Sequence, residues 1–234
     1  MNKEKQVLAL KYRPQNFEDL IGQEVVAETI SKAIEQNKIS NAYLFTGIRG
    51  VGKTTIARIL AKSLNCTSGN GNKCNVKCEN CNAITNSNHI DVLEIDAASK
   101  TGIDDVRELI EFSRYGPTSS KYKIFIIDEV HMLSKQAFNA LLKTLEEPPE
   151  YLKFIFATTE VKKIPVTVLS RCTRFDLSRV KSEELFKFIK RVSQKENGII
   201  SDDVIKLITK ISEGSVRDAL SLLDRVLILS LIHI

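Results

Sequence analysis

The segment Gly47 to Thr54, GIRGVGKT, lies between an apolar run, NAYLFTG, and a helical pattern, KTTIARILAKSLN. A G-x-x-x-x-G-K-[ST] loop works only with a strand behind it and a helix ahead. Its glycines let the backbone curl so that amides point at a phosphate, and the helix N-terminus adds a favourable dipole. In that context the motif points to an α/β fold that binds a nucleotide, against the alternative of a glycine turn with an incidental lysine. The expected nucleotide contacts are Gly47, Ile48, Arg49, Gly50, Val51, Gly52, Lys53, Thr54 and Thr55. Lys53 would reach the β- and γ-phosphates, and Thr54 would ligate magnesium.

The rest of the chain reads as the sheet that such a loop needs. DVLEIDAA (91–98), YKIFIIDEV (122–130) and YLKFIFATT (151–159) join 41–47 as nearly continuous apolar runs, as expected of parallel strands covered on both faces. Between them, SKQAFNALLKTLEE starts with Ser134 as N-cap and is stopped by Pro148 and Pro149. Alternating strands and helices predict a doubly covered sheet wound by right-handed crossovers. After a short last strand, RFDLS (174–178), the pattern turns wholly helical, with Ser182 and Ser201 expected as caps and a domain boundary near residue 179. In the last helix, Val216, Ala219, Leu220, Leu223 and Val226 share one face, so three helices would form a small bundle.

At 234 residues with 43% hydrophobic content, the chain can fill a sizeable core. No run of eighteen apolar residues and no secretory leader is read from it, so the expected compartment is the cytoplasm, with no membrane. A net charge of +5 from dispersed lysines and arginines permits contact with phosphates without demonstrating it.

KIFIIDEVHML delivers Asp128 and Glu129 at a strand end. Beside a phosphate loop, Asp128 is expected to help hold magnesium and Glu129 to orient or deprotonate an attacking water. Arg171 in LSRCTRF and Arg217 on the polar face of the last helix are candidates for charge neutralisation, although by composition either could be a surface arginine. His131 is expected to pack beside the strand end, and spacing identifies no partner for His89 or His233. Cys66, Cys74, Cys78 and Cys81 are too clustered for a disulfide framework and read as a metal site or a redox device, whereas Cys172 reads as structural.

Taken together, KYRPQNFEDLIGQE, AYLFTGIRGVGKTTIARILAKSLNC, EIDAASKTGIDDVREL, IIDEVHMLSKQAFNALLKTLEEPPE, FATTE, IPVTVLSRC and GSVRDALSLLD resemble the AAA+ clamp-loader ATPases, specifically the gamma/tau type of the bacterial DNA polymerase III holoenzyme. The resemblance spans roughly residues 5–227. It implies an AAA+ ATPase domain over 1–178 and a three-helix lid over 179–234. It also implies a four-cysteine zinc module inserted at about 65–83, built from Cys66, Cys74, Cys78 and Cys81. The gaps between these cysteines, x7, x3 and x2, depart from the family's usual x2 in both short gaps, and zinc tolerates x3. The implied cofactors are ATP, Mg2+ and structural Zn2+.

By the same resemblance, Thr159 would sense the γ-phosphate and Arg171 would be an arginine finger offered to a neighbouring subunit's ATP. Arg217 would link the lid to the chain's own γ-phosphate, with Tyr12 and Arg13 near the adenine and ribose. The implied partners are other clamp-loader subunits in a hetero-oligomeric ring, the sliding clamp and primed DNA. Polymerase and helicase would be reached through C-terminal regions beyond this sequence, and the chain would not itself transfer nucleotides. The ending RVLILSLIHI departs from the polar helix end that the family pattern implies, so a truncated copy lacking the collar is expected. Two other functions compete: a zinc-stabilised interaction module with a static nucleotide, and a helicase-like DNA remodeller.

Overall fold

The computed structural model describes residues 7–68, 78–99, 102–198 and 200–232. In chain order its helices and strands are α1 (Leu8–Lys11), α2 (Glu24–Glu35), β1 (Ala42–Thr46), α3 (Lys53–Asn65), α4 (Glu79–Thr85), β2 (Val92–Asp96), α5 (Ile103–Ser113) and β3 (Lys123–Asp128). There follow α6 (Lys135–Glu146), β4 (Leu152–Thr158), α7 (Val166–Leu169), β5 (Thr173–Asp176), α8 (Ser182–Lys195), α9 (Asp202–Ile211) and α10 (Val216–Ile232).

The strands form one sheet in the order β2-β3-β4-β1-β5, and every neighbouring pair is parallel. Its covered faces explain the unbroken apolar runs. Along β1, Tyr43 and Phe45 enter one core with Ile56 and Leu60 of α3, while Ala42 and Leu44 enter a second core with Phe138 and Leu141 of α6. Successive side chains of a strand point to opposite faces, so a strand buried on both sides has no polar register to keep. β5, at the sheet edge, is mostly exposed, and its residues are correspondingly polar.

The helix ends follow the sequence unevenly. Ser134 caps α6 as expected, its hydroxyl accepting from the Ala137 amide at 3.2 Å. Ser201 occupies the cap position of α9 without a side-chain cap bond. The expectation for Ser182 is corrected: it is the first residue of α8, and extended Lys181 is the cap. Helices α8, α9 and α10 pack around a third core that includes Leu185, Ile189, Ile205, Ile208, Ala219, Leu220 and Leu223, joined by Leu8 from α1. Val216 and Val226 pack against its edge, as the face of the last helix predicts. Among the described residues no helix is long and apolar enough to cross a membrane.

Candidate nucleotide site

The loop between β1 and α3 is shaped by backbone that side chains would obstruct. Gly47, Gly50 and Gly52 all have positive φ, of 146°, 81° and 105°. A Cβ on Gly50 would lie 2.0 Å from Ser215 Oγ and 3.3 Å from Arg217 Cβ, so the start of α10 rests directly on the loop. The Arg217 amide also donates to the Gly50 carbonyl at 3.4 Å. Val51 is buried and Arg49 exposed. Lys53 is buried, and its ammonium donates to the carbonyls of Gly47 and Ile48, each at 3.0 Å. Burial pushes its pKa down, while Glu129 and Asp128 pull it up.

Strand β3 delivers the acidic pair beside this loop. Thr54 Oγ1 donates to Asp128 Oδ2 at 2.5 Å, bringing together the two oxygens expected to serve magnesium. Asp128 Oδ1 accepts from the Glu129 amide at 2.9 Å. Glu129 has φ of 46°, a left-handed conformation that costs a non-glycine residue about 1–3 kcal/mol. It turns the chain sharply off the strand, and Glu129 Oε2 accepts from Thr159 twice, from Oγ1 at 2.9 Å and from the amide at 3.2 Å. The loop lysine, the loop threonine, both acidic residues and Thr159 thus converge across the ends of β1, β3 and β4.

The same turn packs His131 beside the strand ends, as expected, and also brings it to the Glu129 carboxylate, a contact the sequence did not foresee. Its side chain is 6% exposed, with Nδ1 3.4 Å from Glu129 Oε2 and Nε2 3.4 Å from Glu160 Oε1. A second missed pair is Arg58 with Glu94, joined by two bonds at 2.6 and 2.7 Å. Only a parallel β2-β3 sheet under α3 brings residues so far apart in sequence together.

The other predicted residues separate. Arg13 donates through Nε to Thr55 Oγ1 at 3.1 Å; burial lowers its pKa, as does Arg58, against the opposing pull of Glu94 and Asp128. Its neighbour Tyr12 turns away, its hydroxyl bonded to Glu196 at the end of α8. Burial, the bond to Glu196 and that carboxylate's charge raise its pKa to about 12. Arg171 lies outside this cluster, its guanidinium 2.5 Å from both Glu146 Oε1 and the Thr167 carbonyl.

Cys66, Cys78 and Cys81 bring their sulfurs within 4.8 Å of one another, and Cys74 lies outside the described residues. Zn–S bonds of about 2.3 Å would space tetrahedral sulfurs about 3.8 Å apart, so modest closure would suit the ion. Burial alone would raise the Cys78 thiol, but its bonds with Thr67 and Cys81 together hold it down to about 6. Cys172 is different: burial against the second core pushes it up to about 12, so it remains a neutral thiol.

Residues 22–181 match the family described as DNA polymerase III, delta subunit. The DNA polymerase III subunit tau/gamma of Haemophilus influenzae is 48% identical over 94% of this chain and 32% of its own length. Subunit gamma of Buchnera aphidicola subsp. Schizaphis graminum is 47% identical over 96% of this chain and 62% of its own. Subunit tau of Bacillus subtilis is 48% identical over 94% and 39%. The chain therefore spans 32% to 62% of the length of these curated relatives. The fold is shared with the RuvB Holliday junction branch migration motor of Thermotoga maritima, with a TM-score of 0.69 at 23% identity, covering 95% of this chain and 67% of that one. On the family match, the chain belongs to the family described as DNA polymerase III, delta subunit, and it is similar to the gamma and tau subunits of that polymerase.

Proposed function

We propose that the chain is the ATP-hydrolysing part of a bacterial clamp-loader subunit, which with partner subunits loads a sliding clamp onto primed DNA in the cytoplasm. The observation that carries this reading is the convergence of Lys53, Thr54, Asp128, Glu129 and Thr159 at one end of the sheet. Loop amides and Lys53 would hold the phosphates, and Thr54 with Asp128 would hold magnesium. Bound magnesium would neutralise phosphate charge. Glu129 would take a proton from water as the water oxygen bonds to the γ-phosphorus and the bond to the β-bridging oxygen breaks. Thr159 fits a role in orienting that carboxylate. Arg217, whose backbone touches the loop, fits a link between a lid of α8–α10 and the chain's own nucleotide. Arg171, outside the cluster, fits a finger offered to a neighbouring subunit.

In the complete subunit assembled with its partners, Glu129→Gln should retain ATP binding and lose turnover by about a hundredfold or more. Wild-type turnover in that variant would contradict the assignment. The cysteines would hold a structural zinc that pins the segment after α3. One zinc per chain by elemental analysis, lost in Cys78→Ser together with thermal stability, is expected, and a metal-free protein of full stability would overturn it.

A further inference from the structure

We infer that His131 is a positioning residue for Glu129, an inference that rests on the reading of Glu129 as the group that receives the water's proton. A buried histidine usually fills space, but this ring has a polar atom of the site opposite each nitrogen. Nδ1 lies 3.0 Å from Thr158 Oγ1 and 3.4 Å from Glu129 Oε2, and Nε2 lies 3.4 Å from Glu160 Oε1. The Thr158 hydroxyl oxygen is itself fixed, accepting the Glu160 amide at 3.0 Å. Nδ1 therefore lies against both the Thr158 hydroxyl and the Glu129 carboxylate.

The backbone makes this contact possible. Left-handed Glu129 starts the short turn Val130–Met132, closed by the Met132 amide on the Glu129 carbonyl at 2.9 Å, which returns the ring of the second following residue to the carboxylate. Glu129 Oε2 then sits between Thr159 and His131. Both contacts fall on one oxygen, which fixes the carboxylate's rotation and leaves Oε1 to accept the proton. On the far side, Glu160 is held by Lys163 at 2.9 Å, so the ring is braced between the turn after β3 and the segment after β4.

The test is steady-state ATP turnover and nucleotide binding in the complete subunit assembled with its partners, for His131→Ala, His131→Asn and His131→Gln, with Glu129→Gln as control. Asparagine places an amide nitrogen where Nδ1 was, and glutamine where Nε2 was. The inference expects kcat to fall between tenfold and a hundredfold (about the effect of a misplaced catalytic group) in His131→Ala, with nucleotide affinity unchanged. It further expects His131→Asn to recover more of kcat than His131→Gln. Should Glu129→Gln be inactive while His131→Ala and His131→Asn turn over like wild type, the inference fails and the reading of Glu129 stands. Equal losses in Asn and Gln variants would mark the ring as packing and also overturn it. Wild-type turnover in Glu129→Gln would remove the reading of Glu129 and the inference with it.

Discussion

Asp91 shows how one residue can hold a connection between two elements. It is 1% exposed and accepts the amides of Thr118 and Ser119 at 2.8 and 2.7 Å and the hydroxyls of Ser119 and Ser120 at 3.0 Å each. Burial alone would raise its pKa, but these bonds outweigh it and hold the carboxyl below the usual range. A folded pKa below the unfolded one adds stability that is present above about pH 4 and is lost as pH falls through the folded value. Asp91→Asn should therefore cost about 1–3 kcal/mol at neutral pH. The gap from wild type should close in acid, as read by chemical denaturation at a series of pH values. A gap that stays constant with pH would show that the charge is not what the amides hold. At this scale the loop residues and the acidic pair were legible because their chemistry depends on order in sequence. The place of His131 beside the strand end was legible too, but its contact with Glu129 was not, because only the left-handed turn at Glu129 brings it back to the carboxylate. Nor could sequence separate Tyr12 from Arg13, adjacent residues whose side chains go to Glu196 and Thr55.

Between elements, the contact that matters most is the start of α10 on the phosphate loop. Gly50 meets Ser215 so closely that any side chain there must displace one or the other, and its φ of 81° adds strain of about 1–3 kcal/mol for alanine. Gly50→Ala is expected to lower both melting temperature and ATP affinity, and adding Ser215→Gly should restore part of each by removing the hydroxyl. If the double variant is no better than the single one, the loss lies in the loop's own backbone and not in its contact with α10. The apolar runs placed β1 to β4, and burial on both faces accounts for them in the inner strands β1, β3 and β4. By contrast β5, an exposed edge strand of polar residues, carries no such run and reads only as a short last strand. Sequence pattern misplaced the start of α8, where Ser182 and Lys181 differ by one position and the choice depends on backbone angle. The joining of α1 to the third core through Leu8 was equally hidden, since four residues are too few to show a period.

At the scale of the whole molecule, the arrangement divides the arginines. Arg217 lies against the chain's own loop, while Arg171 is held by Glu146 and Thr167 outside the cluster of Lys53, Asp128 and Glu129. On the proposed function, a nucleotide bound here would be complete only when another subunit supplies its finger, and turnover would then report assembly. The most direct measurement is steady-state ATP hydrolysis by the complete subunit, with partner subunits, sliding clamp and primed DNA added one at a time and Lys53→Ala as the blank. The account predicts a rate that rises above the blank as the assembly forms and rises most when clamp and primed DNA are both present. A rate indifferent to clamp and DNA, or one that stays at the blank with every component present, would contradict it.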